Sequence, residues 1–513
     1  MTVSDLKQVR PDSRKSRIDW SRIEEADNFA NTVKLYRQGK YSDDLFRRFR
    51  LQHGAYGTRM TSDYAMVRIK IPAGEIYPNQ LEKISQLSEQ FSIGSAHVST
   101  RESIQLHWVV LEDVSEIFRG LSEVGLTSRE ACGNAIRNVM CSPTSGVCPD
   151  ESFDSTPYAL ATAKFFLRNP LNQNLPRKFK FTYTCCEKHG MARIVDVGLI
   201  PTIREVNGEK QKGFKIFLGG GLGNKSYVGH QLEDFTPEEN VIYTSLAVVR
   251  LFDRLGDRTN LARNRLRYLV HEMGWEKFKN LVLKERDVVR ATQSIVTQLP
   301  IDHTPTDIKR PIRITEESRD NTPDGFARWK KTNTFKQKQD GYYTTFITLE
   351  AGDITASQLK SLADIIRNFS GEGTARVGFV QNLALRFVHE DDLTKLYSKL
   401  LESGLAKSGA LTMAAPIGCS GTTSCNLALT NSHRLAKEVQ RKFIEQKLDE
   451  DDDLTNASIK ISGCPNSCGQ HGIATIGFYG GGGRLGKDMY PNYMMSLGGR
   501  ADSEAMLGEN LLR

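Results

Sequence analysis

No apolar run in this 513-residue chain approaches the length of a membrane span. The polar start, MTVSDLKQVRPDSRKSRIDW, lacks the apolar stretch of an export signal. The cytoplasm is the expected location. Nine cysteines are an odd number, and without an export signal they argue against a disulfide framework and for metal binding or redox chemistry. Charge of one sign is not concentrated either: 69 Lys and Arg against 61 Asp and Glu leave +8, scattered apart from patches at Arg47–Arg50 and Arg263–Arg267. A nucleic-acid binder would gather that charge on one face; an acidic protein partner or an anionic substrate fits as well as nucleic acid does. What is present is ordinary for a globular chain, with 39% apolar and 25% charged residues. The length asks for roughly two to four domains.

The order of elements repeats. Residues 65–72 alternate like a strand, 80–91 have helical periodicity and 97–110 alternate again. In the second half, 343–349 are strand-like, 358–369 helical and 375–388 strand-like. AHVSTRESIQLHWV (96–109) aligns with ARVGFVQNLALRFV (375–388) at a shift of 279 residues without a gap. Both copies run on through a helical stretch to a Gly/Ser-rich loop with a cysteine, Cys141 or Cys419. The pattern reads as an internal duplication of a β-α-β unit with a following α/β region, against chance similarity of two ordinary strands. Between the copies lie an α/β stretch over 159–230, helical stretches over about 238–256 and 258–293, and a Pro- and charge-rich linker over 300–325. The predicted division is an N-terminal extension over 1–60, half-domains over 61–130 and 326–405, and two α/β domains over 131–325 and 406–513.

Cys419-x5-Cys425 and Cys464-x3-Cys468 put four thiols into two glycine-bearing loops about 40 residues apart. Four thiolates suit zinc or an iron–sulfur cluster, and the five-residue gap is a poor zinc spacing. The other five cysteines show no comparable pairing and read as packing.

GCSGTTSCNLALTNSHRLAKEV and IKISGCPNSCGQHGIATIGFYG resemble the siroheme-dependent sulfite and nitrite reductases, most closely the ferredoxin-dependent sulfite reductases. The resemblance runs from about Arg47 to Gly499 and includes AMVRIKIP, HVSTRESIQLHW, IRNVMCSP, LPRKFK, FLGGGLG and RNRLRYLVHEMGWEKF, in order. It implies an α+β fold of duplicated half-units: ferredoxin-like half-domains about a pseudo-twofold axis, with two α/β siroheme and Fe–S domains. It also implies that Cys419, Cys425, Cys464 and Cys468 hold a [4Fe–4S] cluster, with Cys468 bridging to the siroheme iron. Arg68, Arg137, Lys178 and Lys180 would surround the substrate anion.

Alternation by itself puts Lys178 and Lys180 on one face with Phe179 opposite; a solvated strand face is the plain alternative. By the resemblance, Arg101, Gln105 and His107 would contact siroheme carboxylates, and Gly219, Gly220 and Gly221 would let backbone approach the macrocycle. His107 reads equally as a half-buried strand histidine, and the glycine run as a tight turn. His97 stands where some members carry arginine. Tyr56 and Cys132 match a Tyr–Cys pair that is covalently joined in some ferredoxin-dependent members; ordinary packing is the alternative.

Sulfite reductases of this family carry Lys-x-Lys where assimilatory nitrite reductases have Asn in the second place, so Lys178-Phe179-Lys180 implies sulfite, reduced by six electrons to sulfide, ahead of nitrite. No flavin- or nicotinamide-binding segment is evident, so electrons come from another protein. A small acidic ferredoxin suits a +8 enzyme, with the two arginine patches as docking candidates and an NADPH-linked flavoprotein as the alternative donor. A monomer is expected. After NYMMSLGGR (492–500) thirteen residues remain, where relatives continue for several helical turns. A second class of reading is a basic nucleic-acid or scaffold protein holding a structural metal, such as zinc, on the four cysteines.

Overall fold

The computed structural model describes residues 18–59, 61–293, 308, 310–311, 322–454 and 456–512. Most of the expected linker over 300–325 lies outside them. Two five-stranded antiparallel sheets form from the duplicated halves. One runs Ala55–Gly57, Tyr64–Lys70, Ser103–Val110, Ser95–Val98 and then Asp353–Thr355, a strand lent by the second half. The other runs Thr334–Lys336, Tyr342–Thr348, Asn382–His389, Ala375–Val377 and then Glu75–Ile76, lent by the first. Each half thus completes the other's sheet. Apolar alternation drives the joint: Ile69, Ile84 and Ile104 of the first half share a single buried core with Leu362, Ile366 and Leu383 of the second. The helices Pro78–Phe91 and Ala356–Phe369 pack on one another across it.

The α/β units repeat in the same way. Met140–Cys141, Phe181–Tyr183 and Val197–Val206 pair in parallel, and Glu209–Leu218 returns antiparallel. Ile417–Gly418, Ile459–Ser462, Ile476–Leu485 and Asp488–Leu497 follow the same order and sense.

Three sequence expectations change. The alternating stretches 97–110 and 375–388 are hairpins rather than single strands: the chain turns between Val98 and Ser103 and between Val377 and Asn382. Glu102 and Gln381 take positive φ at those turns, a conformation that alternation does not reveal. The helical stretch over 258–293 is two helices, Leu266–Met273 and Trp275–Thr292, separated by Gly274 at φ +85°. Finally, the N-terminal helices Glu24–Arg37 and Asp43–Gln52 bury Ala26, Phe29, Val33 and Phe46 in the core of the half-domains, so they are part of that body. Among the described residues no helix is long and apolar enough to cross a membrane.

Candidate functional site

Backbone register builds the first wall. Arg68 pairs with Gln105, Gln105 with His97, and His97 with Asp353, one row across four strands. Their neighbours Val67, Ile69, Ile104 and Leu106 are fully buried on the opposite face, so the period of two turns this polar row away from the core. His107 is two residues along from Gln105. His97 is already engaged: its Nδ1 is 3.0 Å from Asp353 Oδ1 and its Nε2 is 3.1 Å from the Gln381 amide.

The hairpin tip supplies Arg101. Its guanidinium donates to the Asn138 carbonyl at 3.0 Å and to Thr182 Oγ1 at 3.4 Å, and burial pushes its pKa down to about 10. Asn138 fixes the tip in turn, donating to the carbonyls of Ile71, Arg101 and Glu102.

The second wall comes from 131–138 and 177–180. The Arg137 N–H donates to the Phe179 carbonyl at 2.9 Å, holding these segments side by side. Phe179 is fully buried, while Lys178 and Lys180 stay partly exposed on the other side, immediately before the strand Phe181–Tyr183. The Arg137 guanidinium donates to the carbonyls of Ala131 (2.9 Å) and Gly133 (2.8 Å), and Arg68 reaches the Ala131 carbonyl at 3.5 Å. Arg68 also lies over the Tyr56 ring at 5.1 Å. The Tyr56 hydroxyl meets both the Arg137 guanidinium and the Cys132 thiol.

These cations crowd one another. Burial and then Arg265 push Lys178 down to about 7, with Arg137 and Arg177 adding to the shift. Burial, Arg101, Arg265 and Lys178 hold Lys180 well below the ordinary lysine range. Each cation costs the others stability unless an anion sits among them. Buried nitrogens without a partner among the described residues are consistent with such an anion: Nε of Arg68, Arg101 and Arg137, and both ring nitrogens of His107. Burial, then His97, pushes His107 down to about 3, so it is a neutral ring. Unpartnered buried polar nitrogens are rare in folded proteins, and an oxyanion or a polycarboxylate macrocycle would accept from the guanidinium N–H groups and from the one N–H of the neutral His107 ring.

Sequence reasoning missed Arg265, which pairs with buried Asp196 at 2.7 Å, and Arg267, which bonds the Lys225 carbonyl at 2.8 Å. Their run was read as a docking patch, but both side chains are buried, and Arg265 acts on the two lysines. The glycine run lies beside them. A side chain on Gly220 would meet the Arg193 carbonyl at 2.3 Å, and one on Gly221 would meet the Arg267 guanidinium at 3.1 Å. Gly219 takes φ +78°.

The two cysteine loops interlock. Gly463 N–H donates to Cys419 Sγ at 3.2 Å, Cys419 N–H to the Ile461 carbonyl, and Leu429 and Thr430 N–H to the Gly463 carbonyl. A side chain on Gly463 would stand 2.9 Å from the Gly421 Cα, so the backbones touch. Burial, and next the Cys468 sulfur, push the Cys419 thiol up to about 11; Cys468 also raises Cys425 and Cys464. The thiols that close within 4.8 Å of one another among the described residues are Cys148, Cys185 and Cys186, not this quartet. Cys468 is exposed, and its carbonyl accepts from Thr100 Oγ1 at 2.8 Å. Its sulfur acts on Arg68 and on Lys178, which joins the thiol loops to the cationic wall.

Two family models match the chain. "Nitrite/Sulfite reductase ferredoxin-like half domain" covers 57–124 and 335–403, and "Nitrite and sulphite reductase 4Fe-4S domain" covers 132–289, the first α/β unit. The thiol quartet lies in the duplicate of that unit. An assimilatory ferredoxin-dependent nitrite reductase of Haloferax mediterranei is 29% identical over 85% of this chain and 74% of its own. Sulfite reductase [ferredoxin] 1 of Mycolicibacterium paratuberculosis is 28% identical over 82% of this chain and 71% of its own. The NirA protein of Mycobacterium tuberculosis superposes with a TM-score of 0.78 at 24% identity, covering 95% of this chain and 88% of that one, a likeness of fold. The chain belongs to the nitrite and sulphite reductase family, oxidoreductases that use siroheme and a [4Fe–4S] cluster.

Proposed function

We propose that this protein reduces sulfite to sulfide, taking electrons one at a time from a ferredoxin. The observation that carries this reading is the meeting of Arg68, Arg137, Lys178 and Lys180 with the Cys468 loop in one electrostatic neighbourhood. Six electrons and seven protons convert the sulfite dianion into hydrosulfide and three waters. In this reading Cys419, Cys425, Cys464 and Cys468 would hold the cluster, and Cys468, next to the cationic wall, would couple it to the siroheme. Arg101, Gln105, His107 and the Gly219–Gly221 backbone hold the macrocycle. When bound, the cluster would relay electrons and the siroheme would supply the reducing centre.

The residues of the chain supply binding and protons. Arg68 and Arg137 stay charged and clamp the anion. A cation about 4 Å from the anion contributes roughly 4 kcal/mol at an effective dielectric of about 20, before desolvation. Lys178, pushed down to about 7, gives up a proton near neutral pH more readily than an ordinary lysine and can feed the sulfur-bound oxygens. Lys180, held low by burial and by its cationic neighbours, would regain its charge beside a dianion.

Nitrite reduction to ammonia is the second reading, favoured by relatives named nitrite reductases at similar identity. Ferredoxin as donor rests on the same relatives' names. Protein purified anaerobically from a siroheme-producing host will show heme-like visible bands and form sulfide from sulfite with reduced ferredoxin. A colourless zinc protein without reductase activity would end this proposal.

A further inference from the structure

The first α/β unit contains a second group of thiols. Cys148, Cys185 and Cys186 are buried and unbridged, and their three sulfurs lie within 4.8 Å of one another, with Cys185 and Cys186 Sγ 3.8 Å apart. A single buried cysteine is ordinary packing. Here two separate loops converge, and the duplication says where. The pairs Met140–Thr182 and Ile417–Lys460 are equivalent in the two units, at offsets of 277 and 278 residues. At those offsets Cys148 corresponds to Cys425 and Cys186 to Cys464, while Ser142 and Gly190 stand where the other copy has Cys419 and Cys468. The loop pair that carries the thiol quartet in one copy keeps two of its four sulfurs in the other, and Cys185 adds a third.

The Cys185–Cys186 separation is that of two ligands on one ion, and Cys148 stands within 4.8 Å of both. With metal–sulfur bonds of about 2.3 Å, thiolates around a tetrahedral ion stand about 3.8 Å apart. The loops are held in place: Ser145 N–H bonds the Ser142 carbonyl, Val147 N–H the Thr144 carbonyl, and Thr184 N–H the Leu199 carbonyl. Thr144 Oγ1 is 3.4 Å from Cys185 Sγ, and Phe335 packs on the group. Lys188 and Asp150, each two residues beyond a cysteine, form a 2.8 Å ion pair linking the two loops. The group stands at the far end of the strand Phe181–Tyr183 from Lys178 and Lys180, apart from the anion pocket.

We propose that Cys148, Cys185 and Cys186 bind one thiophilic ion, zinc(II) or copper(I), which ties the two loops of the first α/β unit together. Binding displaces the three thiol protons and changes no oxidation state. Elemental analysis of the anaerobically purified holoenzyme, dialysed after exposure to zinc(II) or, separately, to copper(I), tests this. Wild-type protein will retain close to one equivalent of one of these metals. Cys148→Ser and Cys185→Ser will retain at least tenfold less, with iron content and visible bands unchanged. If those variants do not fold, X-ray absorption at the metal edge of the wild type decides, with three sulfur neighbours at about 2.3 Å expected. Wild type without stoichiometric zinc or copper, metal content unaffected by the substitutions, or an ion with fewer than two sulfur neighbours would each overturn the site.

Discussion

Gly74 and Gly352 are the same corner of the fold written twice: each has positive φ (+70° and +84°), and each backs onto a carbonyl of the opposite half. A side chain on Gly74 would meet the Val377 oxygen at 2.6 Å, and one on Gly352 the Val98 oxygen at 2.5 Å. These are the points where each half hands its strand to the other's sheet. Gly74→Ala and Gly352→Ala will each destabilise the protein by about 2–4 kcal/mol, combining φ strain with a backbone clash. Gly208→Ala, at φ +81° with open space around it, will cost only about 1 kcal/mol. Urea unfolding of the three variants measures this; equal losses would mean the crossing contact contributes nothing.

Burial and neighbouring cations make Lys178 a cost to the cofactor-free protein, a cost that the proposed anion would offset. Its pKa is pushed down to about 7 against an ordinary 10.5, so between those values the unfolded chain binds more protons than the native one. Stability from this site therefore rises with pH across that window, and the penalty is complete below it. Lys178→Met will stabilise cofactor-free protein by on the order of 2 kcal/mol at pH 7, a figure reduced for the side chain's partial exposure, and by much less at pH 9.5. The same variant holoenzyme will show a KM for sulfite raised at least tenfold at pH 7. Denaturant melts at the two pH values, with steady-state kinetics, read both outcomes.

In the proposed reading Lys180 carries the choice of substrate. Lys180→Asn removes a positive charge crowded by Arg101, Arg265 and Lys178. It will lower kcat/KM for sulfite at least tenfold and for nitrite by a smaller factor, because a dianion loses more Coulomb energy than a monoanion. Parallel assays of both anions measure the ratio; an equal loss on both would remove Lys180 from the discrimination.

The thiol quartet makes a separate prediction. Serine at Cys419, Cys425, Cys464 or Cys468 will abolish activity and deplete iron, since all four lie in the interlocked loops joined by the Gly463–Cys419 and Leu429–Gly463 hydrogen bonds. Iron analysis alongside the visible spectrum checks each variant. Full iron in any one of them would remove that residue from the ligand set.

The sequence carried the duplication clearly, because strand and helix periods recur at a fixed offset and Lys178-Phe179-Lys180 alternates about a buried ring. It hid what depends on distant partners. The turn before Ser103 continues the alternating pattern, and only the positive φ of Glu102 breaks it. Arg265 and Arg267 sit in a charge run that reads as surface; Asp196, about seventy residues earlier, supplies the partner that lets Arg265 be buried. Cys148 and Cys185 looked unrelated in spacing. The 279-residue shift of the strands puts Cys148 opposite Leu427; only the register of the paired strands, at 277 and 278, sets Cys148 and Cys186 opposite Cys425 and Cys464.

The most direct test of the account gives reduced ferredoxin and the purified enzyme equal, limiting concentrations of sulfite and nitrite in one anaerobic vessel, and measures sulfide against ammonia. A pocket lined by Arg68, Arg137, Lys178 and Lys180 predicts sulfide as the main product. Ammonia in excess, or neither product from a fully loaded enzyme, would contradict it.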